Sequence, residues 1–227
     1  RIFFVPIWLT WTAFTFYSNR FVIDDFGHRA LVFLQMFGIA GMAVSVPAVF
    51  DGDYAAFVLS YVVVRLVLVA LYFRADRHVV EARDLARRYW VGYLVGAGMW
   101  AGSLAVPPPW TYLFWAGALA VELSVPLSAR ARELSARFPP DVLHASERYG
   151  LLTIIVLGES FVKVLSAVAD VGLTPATGVM AGLGLLITCA LWWIYFDDVA
   201  GSRVKRVPIA AVAWIYAHLP LTIGLTA

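Results

Sequence analysis

Residues 54–73 read YAAFVLSYVVVRLVLVALYF, a run in which Arg65 is the only charged side chain. At about 1.5 Å of rise per residue, a helix of this length spans roughly 30 Å, the thickness of a bilayer's hydrocarbon core. Apolar residues fill successive positions rather than alternate ones, unlike a lipid-facing barrel strand. A lone segment in lipid must satisfy its own backbone hydrogen bonds, and a helix does so. The stretch is therefore read as a membrane-crossing helix with one guanidinium at depth.

The rest of the chain repeats the pattern. Of its 227 residues, 62% are hydrophobic, only 14% are charged, and the mean hydropathy is +0.80. A soluble domain of this size needs a far more polar surface, so the excess apolar area is assigned to lipid. Further apolar stretches lie near 2–17, 30–50, 89–106, 110–128, 149–169, 176–196 and 209–225. The expected fold is an all-α, polytopic transmembrane helix bundle with about eight spans in one domain over 1–227. The chain opens on Arg1 with no initiator Met and closes within an apolar run, so a helix is expected to be missing at each end.

Lys and Arg are retained on the cytoplasmic side of short loops, which orients the bundle. Arg20 and Arg29 follow span 1, five arginines from Arg74 to Arg88 follow span 3, Arg130, Arg132, Arg137 and Arg148 follow span 5, and Arg203, Lys205 and Arg206 follow span 7. The other connections, DGD at 51–53, VPPP at 106–109 and DVGLTPAT at 170–177, hold no basic residue. Both ends of the chain are thus expected on the outer face. The basic segment RADRHVVEARDLARR at 74–88 interleaves its arginines with Asp76, Glu81 and Asp84 and has no aromatic ring for base stacking. It is read as lying against anionic lipid headgroups, and no nucleic-acid partner is expected. The partners expected are the lipid bilayer and a small-molecule or ion substrate.

Counting inward at 1.5 Å per residue, Arg65 lies about 12 Å, Glu122 about 9 Å, Glu159 about 15 Å and His218 about 14 Å from the cytoplasmic ends of their spans. Four spans each bring one ionisable group to a middle layer. Each such charge costs about 2.5–3.5 kcal/mol at a helix centre, so these side chains are expected to face one another or a wet cavity. Arg65 supplies a permanent cation, with Glu122 and Glu159 as natural partners; His218, with an ordinary pKa near ~6.5, is the member whose charge changes readily. Plainer readings stand beside this one. Lys163 follows Glu159 at i,i+4 spacing and can neutralise it locally, His218 can bond a core carbonyl, and Arg65 with Glu122 can be a purely structural pair.

A second group is expected at the cytoplasmic surface. It comprises Asn19, Arg20, Asp24, Asp25 and Arg29 in SNRFVIDDFGHR (18–29), His144, Glu147 and Arg148 in HASER (144–148), and Asp197 and Asp198 closing WWIYFDD (192–198). Asp24 or Asp25 can equally serve as a helix cap. His144 and Glu147 stand at i,i+3 with no second such motif, so no metal site and no cofactor is expected. Cys189 stands alone, which rules out an intrachain disulfide.

The segments TFYSNRFVIDDFGHR (15–29), HASERYGLLTIIVLGES (144–160), LWWIYFDD (191–198) and AHLPL (217–221) together resemble the bacterial low temperature requirement protein A (LtrA) family. The resemblance implies a multi-pass bacterial inner-membrane protein linked to growth at low temperature. It also implies a further N-terminal helix whose motif is similar to ERYGLLTIIV. Spans 6 to 8 would then answer to that helix and spans 1 and 2, in a larger parallel-repeat architecture. Two functional classes follow from the residues. One is a transporter or proton/ion-translocating protein built on the midplane groups. The other is a membrane-embedded enzyme on a lipid or lipid-linked substrate, built on the cytoplasmic cluster. With no nucleophile–base arrangement, paired metal motif or phosphate loop, an enzyme is the less favoured of the two. A membrane signalling or scaffold role is a third reading.

Overall fold

The computed structural model describes residues 3–21, 23, 25–200 and 208–225, with side chains from 212 onward in the last segment and none at position 142. Nine α-helices and no strand occur among them: α1 (Phe4–Ser18), α2 (Phe26–Phe50), α3 (Ala55–His78), α4 (Arg83–Gly102), α5 (Trp110–Leu127), α6 (Ala129–Arg137), α7 (Val142–Val171), α8 (Pro175–Ile194) and α9 (Pro208–Leu225). A π-turn, Tyr195–Val199, extends α8. The chain divides into two compact units, 1–141 and 142–227.

Each apolar stretch read from the sequence falls on a helix. Among the described residues, five helices are long and apolar enough to cross a membrane: Phe26–Phe50, Ala55–His78, Trp110–Leu127, Leu143–Val171 and Pro175–Val199. The others fall short of that measure for visible reasons. Helix α1 has 15 residues, the first turns of α4 carry Arg83, Asp84, Arg87 and Arg88, and only Val212–Leu225 of α9 is described as an apolar helix. Helix α6 has no counterpart among the apolar runs. Its sequence ARARELSAR buries Ala131 and Leu134 and exposes Glu133 between Arg130 and Arg137, an amphipathic pattern too short and polar to cross lipid.

Local chemistry sets the helix ends. The Asp25 carboxylate accepts the His28 N–H at 2.7 Å and caps α2; the Ser128 hydroxyl accepts the Ala131 N–H at 3.2 Å and starts α6. Thr174 and Thr177 form a capping box ahead of Pro175, which suits the first position of α8. The turns after α2 and α7 use Gly52 and Gly172 at φ +90° and +94°, a region where a side chain would be strained.

In the first unit α3 is the hub. It packs on α1, α2 and α4, while α5 packs on α4. Lipid offers helices no hydrophobic drive to associate, so close approach at small residues matters more there than in water. Gly38 lies against Val64, Gly41 against Ser60, Gly92 against Val125, and Gly96 against Glu122. Two aromatic-rich clusters result. One gathers Tyr17, Phe21, Leu68, Tyr72, Tyr89 and Tyr93; the other gathers Met42, Phe57, Tyr61, Val64, Trp100 and Trp115. In the second unit α7 packs on both α8 and α9, and the Ser160 hydroxyl donates to the Leu225 carbonyl at 2.6 Å.

Candidate functional site

Arg65 and Glu122 meet. Their side chains are 1% and 3% exposed, and Arg65 Nη2 lies 2.7 Å from Glu122 Oε2. Tyr61, one turn before Arg65 on α3, donates its hydroxyl to Glu122 Oε2 at 2.6 Å and accepts from Arg65 Nη2. The guanidinium also sits over the rings of Tyr61 and Tyr93, 4.6 and 5.3 Å from their centroids. Tyr61 and Val64 belong to one apolar cluster and Val67, Leu68 and Tyr93 to the other, so the charged pair occupies the seam between them. Among the described residues, Arg65 Nε and Nη1 and Glu122 Oε1 have no hydrogen-bond partner. Neither tyrosine was singled out by sequence reasoning. The available signal was the i,i+4 step from Tyr61 to Arg65, which puts both on one face of α3.

In the second unit His218 is 1% exposed. Its Nδ1 lies 2.8 Å from the Trp214 carbonyl oxygen, and its Nε2 lies 2.9 Å from the Tyr195 hydroxyl. A carbonyl only accepts, so Nδ1 carries a proton and donates it; in the neutral ring Nε2 then accepts from Tyr195. The rings of Trp214 and Tyr149 lie 4.3 and 4.8 Å away. Tyr195 heads the π-turn, a helix irregularity that frequently marks functional positions. Glu159 is placed differently. It is 58% exposed on α7, with Lys163 Nζ 3.7 Å from its Oε1.

The residues expected at the cytoplasmic surface fall into separate local arrangements. The Asn19 amide donates to the Asp141 carbonyl at 2.8 Å. Arg20 donates to the Phe138 carbonyl, the Phe16 carbonyl and the Ser135 hydroxyl, which ties the end of α1 to α6. Asp25 caps α2 and pairs with Arg74 at 2.5 Å. The hydrogen bond from Arg74 and that from the His28 N–H hold its carboxyl below the usual carboxylate range. Arg29 is exposed one turn into α2. His144 Nδ1 lies 4.0 Å from Glu147 Oε2 on an exposed face of α7, with Arg148 half-buried beside them. Asp197 and Asp198 are exposed within the π-turn. Asp24, Arg203, Lys205 and Arg206 lie outside the described residues.

The architecture defines a class first: long apolar helices with a buried ion pair among them point to an α-helical membrane protein. The chain belongs to the family of the bacterial low temperature requirement A protein (LtrA), whose pattern matches residues 1–227, the whole chain. It is also 26% identical over 239 residues to the uncharacterized protein RA0937 of Rhizobium meliloti (strain 1021). That match covers 99% of this chain and 58% of the relative, so the chain spans little more than half of the relative's length. No solved structure matches the chain.

Proposed function

We propose that this LtrA-family chain is a multi-pass protein of the bacterial inner membrane, with about eight crossings, that moves a proton, an ion or a small solute past polar groups held at depth. The observation that carries the reading is the Arg65–Glu122 pair at 2.7 Å, sealed between two apolar clusters. A structural tie between α3 and α5 needs no charge, because an apolar pair would hold helices together without the cost of desolvation. Glu122 is the group we assign to cation or proton binding, in competition with Arg65 for the same carboxylate. Arg65, released, would offer its guanidinium to an anion or to Tyr61. In the second unit His218 and Tyr195 form a hydrogen-bonded pair that can pass a proton between ring nitrogen and phenol. The distribution of basic residues supports cytoplasmic placement of the α3–α4 turn and outer placement of the α2–α3 and α7–α8 turns. A link to growth in the cold comes with the family's name.

The test is ion flux. Full-length protein reconstituted in liposomes should collapse an imposed proton, sodium or potassium gradient faster than protein-free vesicles, and Glu122→Gln should abolish this. A separate arm, Glu159→Gln with Lys163→Ala, decides whether Glu159 belongs to the pathway: unchanged flux assigns it to its local pair with Lys163. Folded wild-type protein that leaves all three gradients at the protein-free rate would overturn proton and alkali-cation movement as the activity.

A further inference from the structure

We infer that the α3–α4 turn forms a binding pocket for the phosphate group of an anionic membrane lipid. This site is independent of the transport pathway proposed above. A cavity of about 590 Å³ is lined by Phe73, Asp76, Arg77, Arg83, Arg87, Trp90 and Val91. Three guanidinium groups face a single carboxylate there, so two positive charges are in excess.

Asp76 is buried at the base and is already committed. Its Oδ2 accepts the Trp90 indole N–H at 3.1 Å, its backbone carbonyl accepts from Arg83 Nε at 3.2 Å, and Arg83 Nε and Arg87 Nε stand 3.9 and 3.6 Å from its carboxylate oxygens. The nitrogens nearest Asp76 are thus the Nε atoms, and the terminal Nη groups of two exposed arginines remain as donors at the cavity. Arg77 lies over the Phe73 ring at 4.9 Å, an arrangement that uses the face of the guanidinium and leaves its in-plane N–H groups free for an acceptor. Planar arginine forks match phosphate oxygens in pairs, and no lysine contributes to the pocket. Two further carboxylates are close in sequence, and neither lines the pocket: Glu81 is exposed in the turn, and Asp84 lines a neighbouring hollow with Arg88 and Arg130.

The surroundings favour a lipid over free phosphate. Phe73 and Leu66 on α3 are one stripe at i,i+7 spacing, and Val91 and Leu94 continue the face of Arg87 on α4; all four are exposed. Seven residues of helix cover about 10 Å, so an acyl chain can run along this surface from a headgroup held at the arginines. Trp90 and Phe73 meet edge to face at 5.8 Å where the polar and apolar surfaces join, the level at which tryptophan is enriched in membrane proteins.

The experiment is native mass spectrometry of the full-length protein in detergent, titrated with phosphatidylglycerol, with phosphatidylcholine, or with phosphatidylglycerol plus millimolar inorganic phosphate. Saturable retention of phosphatidylglycerol but not of phosphatidylcholine is expected, undisturbed by inorganic phosphate. A basic residue near an anionic surface contributes roughly a fivefold gain in binding, so Arg83→Gln/Arg87→Gln should weaken retention ~30-fold. Arg130→Gln/Arg137→Gln removes the same charge from α6 and should leave retention unchanged. Should the glutamine variant fail to fold, Arg83→Lys/Arg87→Lys keeps the charge and loses the forks, and weakened but saturable binding is expected. Wild-type retention by either pocket variant, or an equal loss in the α6 variant, overturns the site; displacement of the lipid by inorganic phosphate overturns the lipid assignment in favour of the free ion.

Discussion

Replacing Glu122 by Leu leaves the Arg65 guanidinium charged, 1% exposed and without its carboxylate, and takes the acceptor from the Tyr61 hydroxyl at 2.6 Å. Removing one partner of a buried ion pair costs about 3–5 kcal/mol, because the remaining charge cannot recover its hydration. In a chain of this size each kcal/mol shifts the melting temperature by about 2–4 °C, so the variant should melt about 6–20 °C below wild type. The double variant Arg65→Leu/Glu122→Leu removes both desolvation costs and fills the seam with apolar volume; it should recover most of the loss. Thermal melts in one detergent, followed by circular dichroism for wild type, both singles and the double, close the thermodynamic cycle. A single variant within about 3 °C of wild type would show that the pair is hydrated after all. A double variant as unstable as the single would show that shape, not charge, holds α3 and α5 at this level.

Three further outcomes are expected. A Cβ at Gly96 would stand 2.6 Å from Glu122 Oε1 and 2.9 Å from its Cγ, whereas Gly98 has nothing within 4 Å; Gly96→Ala should therefore destabilise by about 1–3 kcal/mol in the same melts while Gly98→Ala is neutral or slightly stabilising. The Asp25 carboxyl titrates below its ordinary range because of its hydrogen bonds to Arg74 and the His28 N–H. Its contribution to the start of α2 is thus full above the unfolded value near ~3.9 and lost as pH falls through the lower folded value. An NMR titration of Asp25 should show the low midpoint, and Arg74→Gln should raise it. In a Cys189→Ser background, cysteines at Asp53 and Leu173 should label in intact cells and one at Arg83 only after permeabilisation, and labelling of position 83 in intact cells would reverse the assigned orientation.

The helical class and the position of every long helix were legible because unbroken apolar runs admit no other structure in lipid. Depth was legible too: counting residues placed Arg65 and Glu122 within about 3 Å of the same level, and they meet. What counting cannot supply is the angle around the helix axis or the identity of the neighbour, which is why Glu159 stood as an equal partner for Arg65. Within the first unit α5 packs on α4 and α4 on α3, which brings Glu122 to Arg65; in the second unit Glu159 lies on an exposed face of α7 beside the lysine its own spacing offered. Tyr195 was hidden for another reason. It stands where α8 gives way to a π-turn, and a wheel drawn at 3.6 residues per turn loses its register there. The short α6 escaped because its signal is a narrow amphipathic face rather than an apolar run.

The pair at the seam also works as a detent. Sliding α3 past α5 by one turn would shift Arg65 by about 5.4 Å, far beyond the 2.7 Å that joins it to Glu122, and would drive each charge alone into an apolar cluster. Larger slips cost progressively more, because the attraction between the charges falls with distance and the apolar packing above and below offers Arg65 no second carboxylate. Whatever conformational cycle the protein undergoes while the pair is intact, α3 and α5 must travel through it as one rigid body.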